Sequence, residues 1–285
     1  MISSNSHAKL NLVLDLLCKR PDNYHEVEFI MQELELHDKM TFKKADEIIL
    51  TANNPEIYCD DRNLIVRAAK LLKEKTNYSG GAEIYLEKDI PMSGGLGGFS
   101  VNVGTTVREL NNLWKTNLPE EELLKIAASI GMDCAFPVIG RTCLATGRGE
   151  VMKRINSPLV LDLLIVTPQV IIPEKKTAWI FANFDVNRIK NHPSCNRMIN
   201  AINKKDKELI VSEIGNVFEQ GLSIPEYVPV FALISKLKKE KGVLTCAMAG
   251  AGPTVFAVTE NNKVARELEK KYSKEYKKVF VTKTI

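Results

Sequence analysis

The stretch from residue 90 to residue 114 constrains this chain more than any other: Ile-Pro-Met-Ser-Gly-Gly-Leu-Gly-Gly-Phe-Ser, then Val-Asn-Val-Gly-Thr-Thr-Val-Arg-Glu-Leu-Asn-Asn-Leu-Trp. Ahead of it, Ala82, Ile84 and Leu86 alternate with Glu83, Tyr85 and Glu87, the period-two signature of a strand with one buried face. Behind it, Val103, Val107, Leu110 and Trp114 fall at spacings of four, three and four, one stripe of a helix. A bare glycine run reads equally well as a flexible turn. Between a strand and a helix it becomes a phosphate cradle, because glycine lets the backbone approach a ligand and the helix N-terminus presents unpaired amides and a positive dipole end. The pattern is not a P-loop, since no Gly-Lys-Ser/Thr closes it, and it lacks the spacing of a dinucleotide fingerprint.

Upstream, Ala8, Leu10, Leu12 and Leu14 share one face of a predicted strand and Lys9, Asn11, Val13 and Asp15 the other. Lys9 and Asn11 therefore point the same way, fit to grip an anion and a hydroxyl; a solvent-facing edge is the blander reading of the same pattern. The turn Lys19-Arg-Pro-Asp-Asn-Tyr-His-Glu26 leads into a second strand over 27–36, with Tyr24 and His25 at its mouth. Helices are expected over 62–75 and 118–131, the latter opened by Pro119 with acidic residues behind it and closed by Gly131. Just beyond, Asp133 sits among apolar neighbours in Met-Asp-Cys-Ala-Phe-Pro, a place for a catalytic base and equally for a turn-forming aspartate. The second half reads as a buried strand over 159–166, helices near 195–203, 206–220 and 228–241, strands over 243–248 and 254–259 around the turn Ala249-Gly-Ala-Gly-Pro253, a helix over 261–273 and a strand over 278–283. The pattern breaks at Ile155–Pro158, which divides the chain into domains 1–156 and 157–285 of an α+β fold.

A chain of 285 residues with 45% hydrophobic content can fill two cores. Its net charge of +4 is mild, and the lysine-rich runs at 236–241 and 267–278 mix both signs at helical spacing, which reads as solvated helix faces and not as a nucleic-acid footprint. Six scattered cysteines without a Cys-x-x-Cys, and four histidines without ligand spacing, argue against a disulfide framework or a zinc site, and no metal ligands are assigned. The chain opens without a signal-peptide pattern and holds no apolar run of membrane-spanning length, so the expectation is a soluble cytoplasmic protein without a membrane partner.

Taken together, three pieces resemble the motifs of the GHMP small-molecule kinases: Ala8-Lys-Leu-Asn-Leu, the loop Pro91–Ser100, and Met248-Ala-Gly-Ala-Gly-Pro-Thr-Val-Phe256. The turn Lys19–Glu26, Ile130–Phe136, Ala145-Thr-Gly-Arg-Gly-Glu150, Asn191-His-Pro and Gly215-Asn-Val-Phe-Glu are similar to the branch of that family that phosphorylates the 2-hydroxyl of cytidine diphosphate-linked methylerythritol, a step of non-mevalonate isoprenoid synthesis. The resemblance implies a two-domain GHMP kinase fold: an N-terminal half like ribosomal protein S5 domain 2, a C-terminal ferredoxin-like half, and the site between them. It implies Asp133 as catalytic base with Lys9 beside it, and an ATP phosphate loop made of Pro91, Met92, Ser93, Gly94, Gly95, Leu96, Gly97, Gly98, Phe99, Ser100 and Val101. It implies Asn11, Tyr24, His25 and Trp179 at the substrate, with His25 reading the cytosine edge and Tyr24 and Trp179 as rings about the base. ATP and Mg²⁺ are the implied cofactors, a small molecule the implied partner, and a monomer or weak homodimer the implied state. Phe99 and Val101 replace a glycine and a serine of the usual loop, Ala249 and Ala251 stand where serines are expected, Asn23 replaces a turn glycine, and Glu174-Lys175 replaces Ser-Thr. Such losses of hydroxyls favour one alternative, a relative that binds a nucleotide or partner without efficient turnover; a second alternative, a kinase for another small alcohol, is disfavoured by the Tyr24-His25 turn.

Overall fold

Two long strands, β1 (Ile2–Lys19) and β2 (His25–Ala45), pair antiparallel along most of their length. The computed structural model describes residues 1–285 apart from 23, 93, 157, 174 and 175 and the side chain of 177. Of the positions read above, Asn23, Ser93, Glu174 and Lys175 lie outside the described residues.

The free edge of β2 serves two partners in turn. Phe29–Gln32 pair with β5 (Thr142–Thr146), which pairs with β6 (Val151–Arg154), and Lys39–Ala45 pair with β4 (Gly81–Glu87). A parallel strand, β3 (Ile48–Ala52), closes that side against β4. One face of this sheet buries Met40, Phe42, Ala82, Ile84 and Leu86 under α1 (Leu64–Thr76), α2 (Gly98–Trp114) and α3 (Glu120–Ile130). Asn63 starts α1 by accepting the Ile65 amide at 2.9 Å, and Glu120, Glu121 and Glu122 lie at the positive end of α3. Past α3, one tight turn (Met132–Cys134) and the short α4 (Phe136–Ile139) return the chain to β5.

The second half builds an antiparallel sheet in the order β11 (Lys278–Lys283), β7 (Asp162–Thr167), β10 (Val255–Thr259), β9 (Val243–Met248). Alternation along β7 explains its unbroken apolar run. Leu163 and Ile165 face a central core shared with Ala8, Leu10 and Leu12 of β1 and with α6 (Cys195–Lys204), while Leu164 and Val166 face α9 (Val228–Leu237) and α10 (Asn262–Tyr272). β1 is thus buried on both faces: Lys9 is 3% exposed and Asn11 2%, which excludes the solvent-edge reading.

The helix expected over 206–220 stops early. α7 (Lys207–Glu213) gives way to β8 (Gly215–Asn216), parallel to β1 at Val13 and Leu14, and a single turn, α8 (Phe218–Gly221), follows. The Val217 amide donates to Leu14 O at 3.0 Å, so a tertiary acceptor replaces the helical one and overrides local propensity.

A buried carboxylate fixes how the glycine stretch leaves β4. Asp38, wholly buried, accepts the Asp89 and Ile90 amides at 2.8 and 2.8 Å, the Lys88 ammonium at 2.6 Å and Asn102 Nδ2 of α2 at 2.8 Å. Burial draws the Lys88 ammonium below its ordinary range, against the pull of Asp38. Asp38→Asn would leave that ammonium buried without its counter-charge and should lower stability by about 3–5 kcal/mol. The check is a lower urea midpoint with an unchanged denaturant slope.

Candidate active site

The loop that the sequence singles out is held from two sides. The Lys9 amide of β1 donates to Leu96 O at 3.0 Å, and the Thr254 amide of the closing turn donates to Gly94 O at 3.2 Å. Gly95 (φ 91°) lies so close to Ala249 O that a Cβ there would stand 2.1 Å from it, and at Gly97 (φ 89°) a Cβ would meet Val101 Cγ1 at 2.7 Å and Lys9 Cγ at 3.0 Å. Both positions need glycine for conformation and for space. Leu96 and Val101 are buried in the central core, and Pro91 and Met92 also turn inward. Gly94, Gly95, Gly97, Gly98, Phe99 and Ser100 face a cavity of about 880 Å³. Gly97 caps α2 with no side-chain hydrogen bond, so the first amides of this 17-residue helix keep the anion-binding character of a helix start.

Lys9 reaches into the same cavity. Its Nζ lies 2.9 Å from Asp133 Oδ2 and donates to Asn11 Oδ1 at 3.0 Å. The lysine side chain is 4% exposed and the aspartate 41%, so a buried cation holds a carboxylate that an incoming hydroxyl can reach. Asp133 owes its place to the turn after α3, and Lys9 and Asn11 owe theirs to the strand alternation read from sequence.

The far end of the cavity is aromatic. His25 stacks on Phe181 of α5 (Lys176–Ala182), with centroids 5.1 Å apart at 27°, and Phe181 packs edge-on against Phe218. Tyr24 is 51% exposed, and the Arg148 guanidinium lies 5.1 Å from its ring centroid. Trp179 is not among the residues lining the cavity; it packs against Tyr227 with centroids 6.0 Å apart. On α5, Ala178, Phe181 and Ala182 share the cavity face, and Trp179 is rotated by about 100° from Ala178. The ring beside His25 is therefore Phe181, two places along from the one the sequence suggested. Burial and then the Lys19 charge lower His25 below its ordinary 6.5, which leaves the ring neutral at pH 7.

Among the lining residues that the sequence did not single out are Phe181, Arg148 and Lys176. The Gly-Arg-Gly turn was the signal for Arg148, whose Nε donates to Glu150 at 3.2 Å, and a helical wheel through Trp179 was the signal for Phe181. Four cations (Lys9, Lys19, Arg148, Lys176) line the described cavity against one carboxylate, Asp133, a field suited to polyanionic ligands. No cluster of three metal-ligating side chains occurs among the described residues. Glu219 is buried away from the cavity, accepts the Met248 amide at 2.7 Å, and is pushed up to about 7 by that burial.

The closing turn has its own supports. Asn216 Nδ2 donates to Met248 O and Gly250 O, each at 2.8 Å, and Tyr227 Oη donates to Ala251 O at 2.6 Å. Ala249 is fully buried, Val101 points into the core, and the Phe99 ring packs on the helix side with Lys88 Nζ 5.7 Å from its centroid. Val101 and Ala249 thus lie outside the lining of the cavity, and Phe99 lies along its wall. Gly95→Ala should dislodge Ala249, destabilise by at least about 2 kcal/mol and abolish nucleotide binding. Thermal melts and a nucleotide titration of that variant measure both.

Residues 63–141 match the family model of the GHMP kinases N terminal domain, and residues 198–278 match that of the GHMP kinases C terminal domain. A 4-diphosphocytidyl-2-C-methyl-D-erythritol kinase of Pelotomaculum thermopropionicum is 36% identical over 100% of this chain and 98% of its own length. One of Geobacillus kaustophilus is 38% identical over 92% of this chain and 89% of its own. The crystal structure of a 4-(cytidine 5'-diphospho)-2C-methyl-D-erythritol kinase has the same fold, with a TM-score of 0.75 across 99% of both chains at 23% identity. With relatives aligned end to end, the chain belongs to the GHMP kinases, in the family of the 4-diphosphocytidyl-2-C-methyl-D-erythritol kinases.

Proposed function

We propose that this protein transfers the γ-phosphoryl group of ATP to the 2-hydroxyl of 4-diphosphocytidyl-2-C-methyl-D-erythritol. The observation that carries the reading is the Lys9–Asp133 pair, 2.9 Å apart, opening onto the same cavity as the glycine loop and the start of α2. The α2 amides and the loop backbone hold the nucleotide phosphates. Asn11 and Lys9 orient the substrate hydroxyl, and Asp133 takes its proton as the oxygen bonds to the γ-phosphorus. The bond from phosphorus to the bridging oxygen breaks and ADP leaves. The neutral His25 ring, with one donor and one acceptor nitrogen, suits the edge of a cytosine, while Tyr24 and Phe181 supply ring surface for the base.

Mg²⁺ accompanies the nucleotide in this reading. The ion takes mostly phosphate and water oxygens with one or two carboxylates. Asp133, the one carboxylate among the described lining residues, is the protein group placed to meet it. When bound, the ion neutralises phosphate charge.

Incubation with ATP, Mg²⁺ and the cytidylyl substrate should release ADP, and Asp133→Asn should slow that release by about 10²–10⁴-fold while substrate still binds. Substrate binding without ADP release by the wild-type protein would overturn the reading. A second measurement concerns pH. The neutral form of His25 dominates above its lowered pKa, so substrate affinity should hold from neutral pH upward and fall as pH drops through that value, below 6.5. A His25→Gln variant should lose this acid-side fall.

A further inference from the structure

The mechanism above gives no part to Lys176, a partly buried cation of the cavity wall. Lys176, at the start of α5, lines the cavity, and its Nζ donates to Gly252 O of the closing turn at 2.6 Å. That turn is the one whose Ala249 oxygen abuts Gly95 and whose Thr254 amide binds Gly94 O. The lysine is therefore anchored to the wall that touches the phosphate loop, and its charge lies within the fields of Lys9 and Asp133. Among the described residues, two ammonium groups share the neighbourhood of one carboxylate, beside the amides at the start of α2.

Such an arrangement is unfavourable by itself. Desolvation first, then repulsion from Lys9, draws Lys176 down to about 8, against the attraction of Asp133. A phosphate oxygen placed between these groups would relieve both effects. It would supply opposite charge to each ammonium and accept charge-assisted hydrogen bonds. The aromatic end, with Tyr24, His25 and Phe181, is served by other cations, Lys19 and Arg148. Lys176 is grouped instead with the pair that faces the reacting hydroxyl.

We propose that Lys176 is a further phosphate-binding residue of this kinase, its ammonium holding the terminal phosphate of the bound nucleotide from the wall formed by the closing glycine turn. The proposal rests on the kinase reading for the orientation of the nucleotide, but not on the identity of the acceptor alcohol. The contact belongs to the third phosphate, so it separates ATP from ADP.

The test measures binding of a β,γ-imido ATP analogue and of ADP, each with Mg²⁺, to wild-type protein and to Lys176→Met and Lys176→Arg. Lys176→Met should weaken the analogue about tenfold to a hundredfold, leave ADP within about twofold, and Lys176→Arg should recover most of the loss. Retained ADP binding also reports a folded seat. The wild-type protein supplies a second readout that needs no variant. The terminal phosphate is already fully ionised well above its second pKa of about 6. Affinity for the analogue should then be greatest below the value of about 8 to which Lys176 is lowered, and should decline as pH rises through and beyond it. Among the described residues, the charged groups that act on Lys176 in that window are Lys9 and Asp133, with the Tyr227 hydroxyl behind the turn pushed above its ordinary range by burial. In Lys176→Met the decline should vanish. Equal loss of analogue and ADP, loss of neither, or a wild-type affinity flat between about pH 7 and pH 9 would overturn the assignment. Failure to phosphorylate the cytidylyl substrate, with analogue and ADP still separated by Lys176→Met, would sink the proposed reaction and leave this contact standing.

Discussion

Two glycine turns, one from each half of the chain, meet main chain to main chain, and the site depends on that meeting. Gly95 sits against the Ala249 carbonyl and Gly94 O accepts the Thr254 amide, so no side chain intervenes. The approach at Gly95 is possible only where Cβ is missing and φ is positive. From the other side, the Lys9 amide binds Leu96 O, while Leu96 and Val101 anchor the loop in the core shared by both sheets. Asp38 adds the entry angle by gathering two amides, an ammonium and an α2 amide side chain onto one carboxylate. Phosphate recognition by main chain needs this stiffness, since a loop that wandered would forfeit the aligned amides.

Most of the framework was legible in the chain before any coordinates. Strand alternation put Lys9 and Asn11 on one face, the helical stripe placed the start of α2 behind the glycines, and Asp133 stood out among apolar neighbours. What pattern could not supply was contact across distant segments. Nothing local to Asp38 says that Lys88 and Asn102 will converge on it. Periodicity ran a helix through 206–220, yet a tertiary acceptor on Leu14 broke it after Glu213. The resemblance put Trp179 at the base, whereas the direction of α5 brings Phe181 against His25.

The replaced hydroxyls make sense on the same footing. A serine at 101 would point its hydroxyl toward the core occupied by Val101, and one at 249 would sit where Ala249 is fully closed off. Neither position lines the cavity, while Ala251 and Phe99 do. The Phe99 ring rests on the helix-side core beside Lys88 and forms part of the cavity wall. Among the described residues, four cations and a helix start surround the cavity, a field that favours anions without those alcohol groups.

The long second strand carries a consequence of its own. Its free edge holds β5 near one end and β4 near the other, so the turn proposed to read the base and the loop proposed to seat the nucleotide hang from a single rod. A rod shared in this way couples the two halves of the ligand mechanically: a twist introduced by mutation anywhere along it would move both grips together and misalign donor and acceptor, even where each grip stayed intact. Selection on such a strand would act on its curvature as a whole, favouring compensating pairs of changes along its length over isolated repairs at either end.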